Sequence, residues 1–209
     1  MVKRGYHHGN LRQALVEAAL GLIETKGPTG FTLAEAAKQA GVTPAAVYRH
    51  FDGREDLIAE AARQGYEIFA DRMEEAAEGA SSDVARGALA RFEATARAYL
   101  EFAHAYPGHY VAMFESGIST NRSPDLAAVV GRAFGVVERT ALELSKHIPA
   151  DKRPPPQMFS AHIWALSHGV VELFARGSPG TKSPFPPDLL LETGIGIYLR
   201  GLGLIPPDE

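Results

Sequence analysis

Residues 31–51 constrain this chain more than any other stretch, because they read as two short helices joined by a tight turn. Thr32 followed by Glu35 is a capping box, in which hydroxyl and carboxylate satisfy each other's free backbone donors at a helix start. Leu33, Ala36, Ala37 and Ala40 share a face and are small enough for a second helix to approach closely. Gly41 supplies a residue that tolerates positive φ after the last turn, Thr43 stands at the next N-cap, and Pro44 follows where a missing N–H costs nothing. The spacing predicts a helix-turn-helix, whose second helix lies in the DNA major groove. Val47 and Phe51, at i and i+4, turn to the core together and leave Tyr48, Arg49 and His50 to point elsewhere.

Charge agrees with that reading once it is divided. The 209-residue chain carries a net charge of −4, yet through Arg54 it holds seven basic against four acidic residues, and beyond Arg54 fourteen against 21. A mildly positive head on an acidic body concentrates attraction for phosphates at one end. There is no cysteine, which excludes disulfides, thiolate metal sites and cysteine nucleophiles. Residues 154–171 lack charged side chains, but three prolines and two histidines spoil them as a membrane span. No secretory signal is visible, so the cytoplasm is the expected location.

In chain order, residues 3–8 are expected to be an arm that reaches phosphates or an adjacent minor groove, or else a solvated tail. Gly9 or Asn10 opens a first helix with Leu11, Leu15, Ala18, Ala19, Leu22 and Ile23 on its buried face, and Lys26-Gly27-Pro28 stops it. Asp52 and Glu55 cap a long helix running to about Glu78, with Leu57, Ile58, Ala61, Ala62, Tyr66, Phe69, Ala70 and Met73 as its apolar positions. No Pro- or Gly-rich linker follows the reading head, so this helix is expected to couple it to the body as a lever. Breaks at residues 79–82 and at Tyr106-Pro107-Gly108 delimit a helix from Asp83 to about Ala105 and a short one bearing Tyr110, Met113 and Phe114. A further helix runs from Ser123-Pro124 to Lys146, and another from about Pro155 to Arg176. The latter carries one apolar stripe through Phe159, Ile163, Leu166, Val170 and Leu173 and a second through Trp164, His168, Val171 and Ala175, the pattern of a helix covered on both sides. After residues 177–187 a last helix contains Gly194, Gly196 and Gly201, whose cost in a helix close packing would offset. The whole reads as all-α with about nine helices.

The segment from Gly41 to Ile58, GVTPAAVYRHFDGREDLI, resembles the DNA-binding end of TetR-type transcriptional repressors. Tyr6 to Leu20, YHHGNLRQALVEAAL, looks like one branch of that family, and Trp164 to Gly169, WALSHG, resembles its C-terminal domain more weakly. The resemblance implies a helix-turn-helix domain over 1–54, a ligand-binding and dimerisation domain over 55–209, and a homodimer whose core is built from the last two helices. It implies a repressor released by a small molecule from a palindromic operator on double-stranded DNA. The alternative is a constitutive or sequence-nonspecific DNA binder whose body only dimerises. Resemblance and helix geometry together assign Tyr48 and His50 to phosphates, with Arg54, Thr32 and more weakly Lys26 assisting. Thr43, Pro44, Ala45 and Arg49 are left to face the bases. Thr43 and Ala45 suit thymine methyls, and Arg49 suits guanine or a phosphate.

Catalysis finds no support in the residues. Ala165 to Gly169 imitates a nucleophile elbow, but that motif needs a strand before it and a histidine after it, and no histidine follows His168. Neither a phosphate-binding glycine motif nor His-Glu-x-x-His occurs, and no cofactor is implied. His104, His109, His162 and His168 leave a metal site open, against the simpler reading of histidines bonded to carbonyls. Tyr99, Phe102, Tyr110, Met113, Phe114, Trp164 and His168 come from three segments expected to meet inside the body. Their aromatic area and few polar tips suit a small-molecule site, or a core that is simply filled.

Overall fold

A computed structural model describes residues 11–79, 84–175 and 183–206. The expected arm at residues 3–8, the helix opening at Gly9 or Asn10, and the breaks at 80–82 and 177–182 lie outside the described residues. Among those described, nine α-helices and no strands occur. They form two compact units, which part within one helix between Glu67 and Ile68 and again between Val130 and Gly131.

The first unit holds α1 (Leu11–Lys26), α2 (Leu33–Gln39), α3 (Pro44–Val47), the first half of α4 (Arg54–Glu78), α6 (Pro107–Phe114) and the start of α7 (Pro124–Ser145). The apolar stripes read from the sequence are its core: Leu15, Ala19, Ile23, Phe31, Val47, Phe51, Leu57 and Ala61 are all at most 1% exposed. Helix α6 joins this unit through Gly108, where a Cβ would stand 2.9 Å from Glu24 Oε1 and 3.0 Å from the Leu20 carbonyl. The Gly108 N–H donates to Glu24 Oε1 at 3.2 Å. Any larger residue there would push α6 off α1. This compact unit continues past Arg54 to Glu67 and takes in residues 106–130.

The second unit holds the rest of α4, α5 (Val84–Ala105), the remainder of α7, α8 (Pro156–Val170), a π-helical turn (Val171–Ala175) and α9 (Pro187–Gly201). Its core gathers Phe92, Leu144, Ile148, Phe159, Ile163, Leu191, Ile195 and Leu199. Phe159 lies between two rings, stacked on Phe92 at 6.0 Å and on Tyr198 at 5.8 Å between centroids. Arg153 closes the end of α7 by donating to the carbonyls of Lys146 and Ile148. Arg132 of α7 bridges Asp71 and Glu74 of α4. No described helix is long and apolar enough to cross a membrane.

Within the chain α8 is covered on one side, while the other apolar face, which the two stripes leave for a partner subunit, stays open. Phe159, Ile163, Ser167 and Val171 form the buried ridge, whereas Met158, Leu166 and, in the π-turn, Leu173 and Phe174 are exposed. On α9, Leu189 and Ile197 are exposed as well, the latter by 66%. The α9 glycines do not answer to close packing inside this chain: a Cβ on Gly194 or Gly201 would meet nothing within 4 Å. Periodicity reports that a face is apolar, not what covers it.

Candidate functional site

The helix-turn-helix is fixed at its three weak points. At the start of α2, Thr32 N donates to Glu35 Oε2 at 2.8 Å, and Glu35 N donates back to Thr32 Oγ1 at 3.2 Å. Lys26 Nζ reaches the other Glu35 oxygen at 2.5 Å. The hydrogen bond from Lys26, followed by those from Thr32, holds the Glu35 carboxyl down at about 2. Lys26 is thus committed to the capping carboxylate. At the turn, Gly41 adopts φ +72°, and Val42 N–H donates to the Ala37 carbonyl at 2.9 Å, the Schellman arrangement that a glycine permits.

The far end is held by Arg12 of α1. Its Nη1 donates to the His50 carbonyl at 2.8 Å, its Nη2 pairs with Glu60 at 3.1 Å, and the guanidinium lies 4.5 Å over the Phe51 ring. Burial raises the Glu60 pKa, but hydrogen bonds from Arg63, Gln64 and Arg12 outweigh it and leave the carboxyl at about 2. In α6, burial pushes the His109 imidazole below its usual range. Both folded values lie under the unfolded ones, so both groups contribute stability that is lost on acidification. Acid unfolding is expected to begin as the pH falls below about 6.5, from His109, and to steepen below about 4.5, from Glu60. Urea midpoints measured across pH would check this: His109→Gln should remove the first limb and Glu60→Gln should reduce the second, which Glu35 shares.

Fixed in this way, α3 presents Thr43, Pro44, Ala45, Tyr48 and Arg49 to solvent, with His50 half-buried beside them and Thr32 exposed at the start of α2. Tyr48 is 62% exposed, a large ring turned mostly to solvent. Two caps depart from the sequence reading, and one arginine has partners that the sequence did not announce. Thr43 occupies the N-cap position, but its hydroxyl makes no capping hydrogen bond, which leaves that oxygen to outside partners. Asp52 N is met by the Asp56 carboxylate at 3.3 Å and not by Glu55, which instead pairs with Arg122. Arg54, expected at phosphates, donates to the carbonyls of Thr29 and Phe31 at 2.9 and 3.3 Å. The sequence carried no signal for that, because the acceptors are backbone atoms more than 20 residues away.

The residues expected to line a pocket fall into two groups. Tyr110, Met113 and Phe114 pack in the first unit, where Phe114 meets Tyr110 at 4.8 Å and Tyr66 at 5.9 Å. Burial raises the Tyr66 hydroxyl to about 12. Tyr99, Phe102, Trp164 and His168 pack in the second unit. There His168 stacks on Trp164 at 5.3 Å and 18°, and its Nδ1 lies 2.7 Å from the Tyr99 hydroxyl. Phe134 closes on Trp164 edge-on at 4.8 Å, and Phe69 contacts both Phe102 and Tyr99. The cavity among Met73, Tyr99, Ile163, Trp164 and Ser167 has only about 20 Å³, room for about one water. Beside Trp164 the described side chains pack closely, and an effector larger than a water enters that cavity only with rotamer or helix movement. His162 spends its Nδ1 on the Tyr198 hydroxyl at 2.8 Å, and among the described residues no group of three or more His, Asp or Glu gathers to hold a metal.

Comparison with known proteins divides the chain by sequence rather than by packing, since the C-terminal match includes residues 106–130 of the first unit. Residues 15–61 match the family model described as bacterial regulatory proteins, tetR family, and residues 92–197 match that of the tetracyclin repressor-like C-terminal domain. The uncharacterized HTH-type transcriptional regulator YobS of Bacillus subtilis (strain 168) is 31% identical over 104 residues. That match spans 50% of this chain and 51% of the relative, about half the length of each. Among solved structures, a protein of unknown function from Rhodococcus sp. RHA1 superposes with a TM-score of 0.77 at 28% identity, over 96% of this chain and 99% of that one. PfmR, a TetR family transcriptional regulator from Thermus thermophilus, superposes with a TM-score of 0.64 at 18% identity over 90% and 98% of the two chains, a likeness of fold.

Proposed function

Since the chain belongs to the tetR family of bacterial regulatory proteins, we propose that it is a homodimeric repressor that binds a palindromic operator and leaves it when a small molecule binds the body. One observation carries the DNA-binding half. A capped, Arg12-stapled helix-turn-helix presents Tyr48, Arg49, Thr43 and Ala45 on one exposed surface while Val47 and Phe51 anchor it from below. Tyr48 and His50 serve phosphates, and Thr43, Ala45 and Arg49 face the bases. Of these only Arg49 can make a bidentate base contact, worth about 1–3 kcal/mol of discrimination. The rest of the specificity comes from DNA shape and from half-site spacing of roughly one helical turn or more.

The dimer reading rests on the apolar residues that α8, the π-turn and α9 leave uncovered, Leu166, Leu173, Phe174, Leu189 and Ile197 among them. The effector reading rests on family character and on an aromatic interior whose polar tips, Tyr99 and His168, already answer each other. Because the side chains beside Trp164 pack closely, the effector must prefer a conformation in which that cavity is open; equal affinity for both states would release nothing.

Selection of bound sequences from a random DNA pool, repeated with metabolite extracts, tests the whole. A palindrome released by an extract fraction is the expected result, and protection of a single half-site by a monomer would refute it. Tyr48→Ala should weaken binding by about tenfold, the loss of one hydrogen bond to a charged group, and do so alike for all sequences. Quantitative gel shifts on the operator and on shuffled DNA would read this; a changed base preference with intact affinity would remove Tyr48 from the phosphates.

A further inference from the structure

Beside the exposed Tyr48 runs an open groove of about 610 Å³, lined by Thr32, Tyr48, Arg54, the carboxylates of Asp52, Glu55 and Asp56 and, from the loop after α6, Arg122. Arg122 stands some seventy residues beyond the helix-turn-helix in sequence but belongs to the same compact unit. Its loop is held by its own hydrogen bonds: Ser116 Oγ donates to the Ala112 carbonyl at 2.6 Å and accepts from Ile118 N, and Arg122 N donates to the Ser119 carbonyl at 3.0 Å. The guanidinium is thereby delivered to the groove, where Nη1 meets Glu55 Oε2 at 3.2 Å.

We propose that Arg122 is a direct phosphate contact of the DNA-bound protein, an assignment that rests on the operator-binding reading above. Charge decides it. Arg54 lines the groove too, but its Nη1 is engaged by the Thr29 and Phe31 carbonyls. Arg122 is held by one carboxylate, in a pair whose side chains are 39% and 70% exposed. Such exposed pairs contribute little and are screened by salt, so exchanging the carboxylate for a phosphate that can accept two parallel N–H bonds is favourable. Tyr48 brings a hydroxyl to the same groove, and Arg122 supplies the cation.

A simpler role competes: Arg122 neutralises Glu55, which would otherwise repel DNA. The two separate in a Glu55→Gln background, where no carboxylate remains at position 55. Operator affinity is measured against salt for the parent, Glu55→Gln, Arg122→Ala and the double variant, each checked for an unchanged thermal midpoint. A direct contact predicts that Arg122→Ala still costs roughly tenfold in the Glu55→Gln protein and lowers the log–log salt slope by about one per half-site, with Arg122→Lys retaining the slope. No change in affinity or slope in that background overturns the assignment. A parent protein that fails to shift any selected operator overturns the operator reading, and this assignment with it; a parent that binds while the background test is silent overturns the assignment alone.

Discussion

Ile197→Asp is expected to convert a dimer to a monomer and to abolish operator binding at concentrations where the parent protein saturates it. Ile197 is 66% exposed on α9, on the ridge that Leu189 and Thr193 continue at four-residue spacing. Exposed Leu166 and Leu173 extend the apolar surface onto α8 and the π-turn after it. A two-fold interface uses the same patch on both subunits, so one substitution enters it twice. An uncompensated buried carboxylate costs several kcal/mol, and two of like charge cost more. Sedimentation and gel shift read the two consequences separately. A variant that still sediments as the parent does would move the interface away from α9. Gly194→Ala gives an independent reading. In an isolated chain the alanine should stabilise α9 by about 0.8–1 kcal/mol, since nothing lies within 4 Å of the added Cβ. Weaker dimerisation on that substitution would mean that the partner's helix approaches at Gly194.

Phe159→Ala should cost about 3–5 kcal/mol, enough to remove a large part of the stability of a typical domain. The ring is fully buried and stacks on both Phe92 and Tyr198, so truncation leaves three elements facing a void. Trp164, the single tryptophan, sits in the same unit and reports its unfolding by fluorescence. A denaturation midpoint that moves by less than about 1 kcal/mol would mean that the site collapses and refills. Phe159→Leu, which keeps most of the volume, should cost markedly less.

Local pattern carried the fold far. All eight apolar positions read on α4 from helical period are buried, and the Thr32–Glu35 capping box forms as its spacing requires. Both are decided within one or two turns of chain. What escaped is what depends on distant partners. The carbonyls that Arg54 Nη1 meets lie in another loop, which no local pattern announces. Arg122 carried no signal at all, since nothing in Asn121-Arg122-Ser123 announces that a helix start at Glu55 lies beside it. The apolar residues of α8 were legible as stripes, but a stripe covered by the chain's own core and one left outside have the same period. Composition names the seven aromatic and polar side chains, but only the packing of α6 with α1 shows that Tyr110, Met113 and Phe114 belong to the compact unit of the helix-turn-helix.

The seating of Gly108 on α1 bears on how such proteins can be recombined. A head assembled from two separated stretches of chain is not a cassette that can be cut out at the end of its recognition motif. A fragment ending at Arg54 would lack both α6 and most of α4, and would leave the Leu20–Glu24 side of α1 bare. Grafting a foreign reading head onto this body therefore calls for two crossovers on either side of α5 and a third inside α7, near residues 67, 105 and 130. Chimeras joined at a single point after the helix-turn-helix inherit a mismatched seam where α6 should rest.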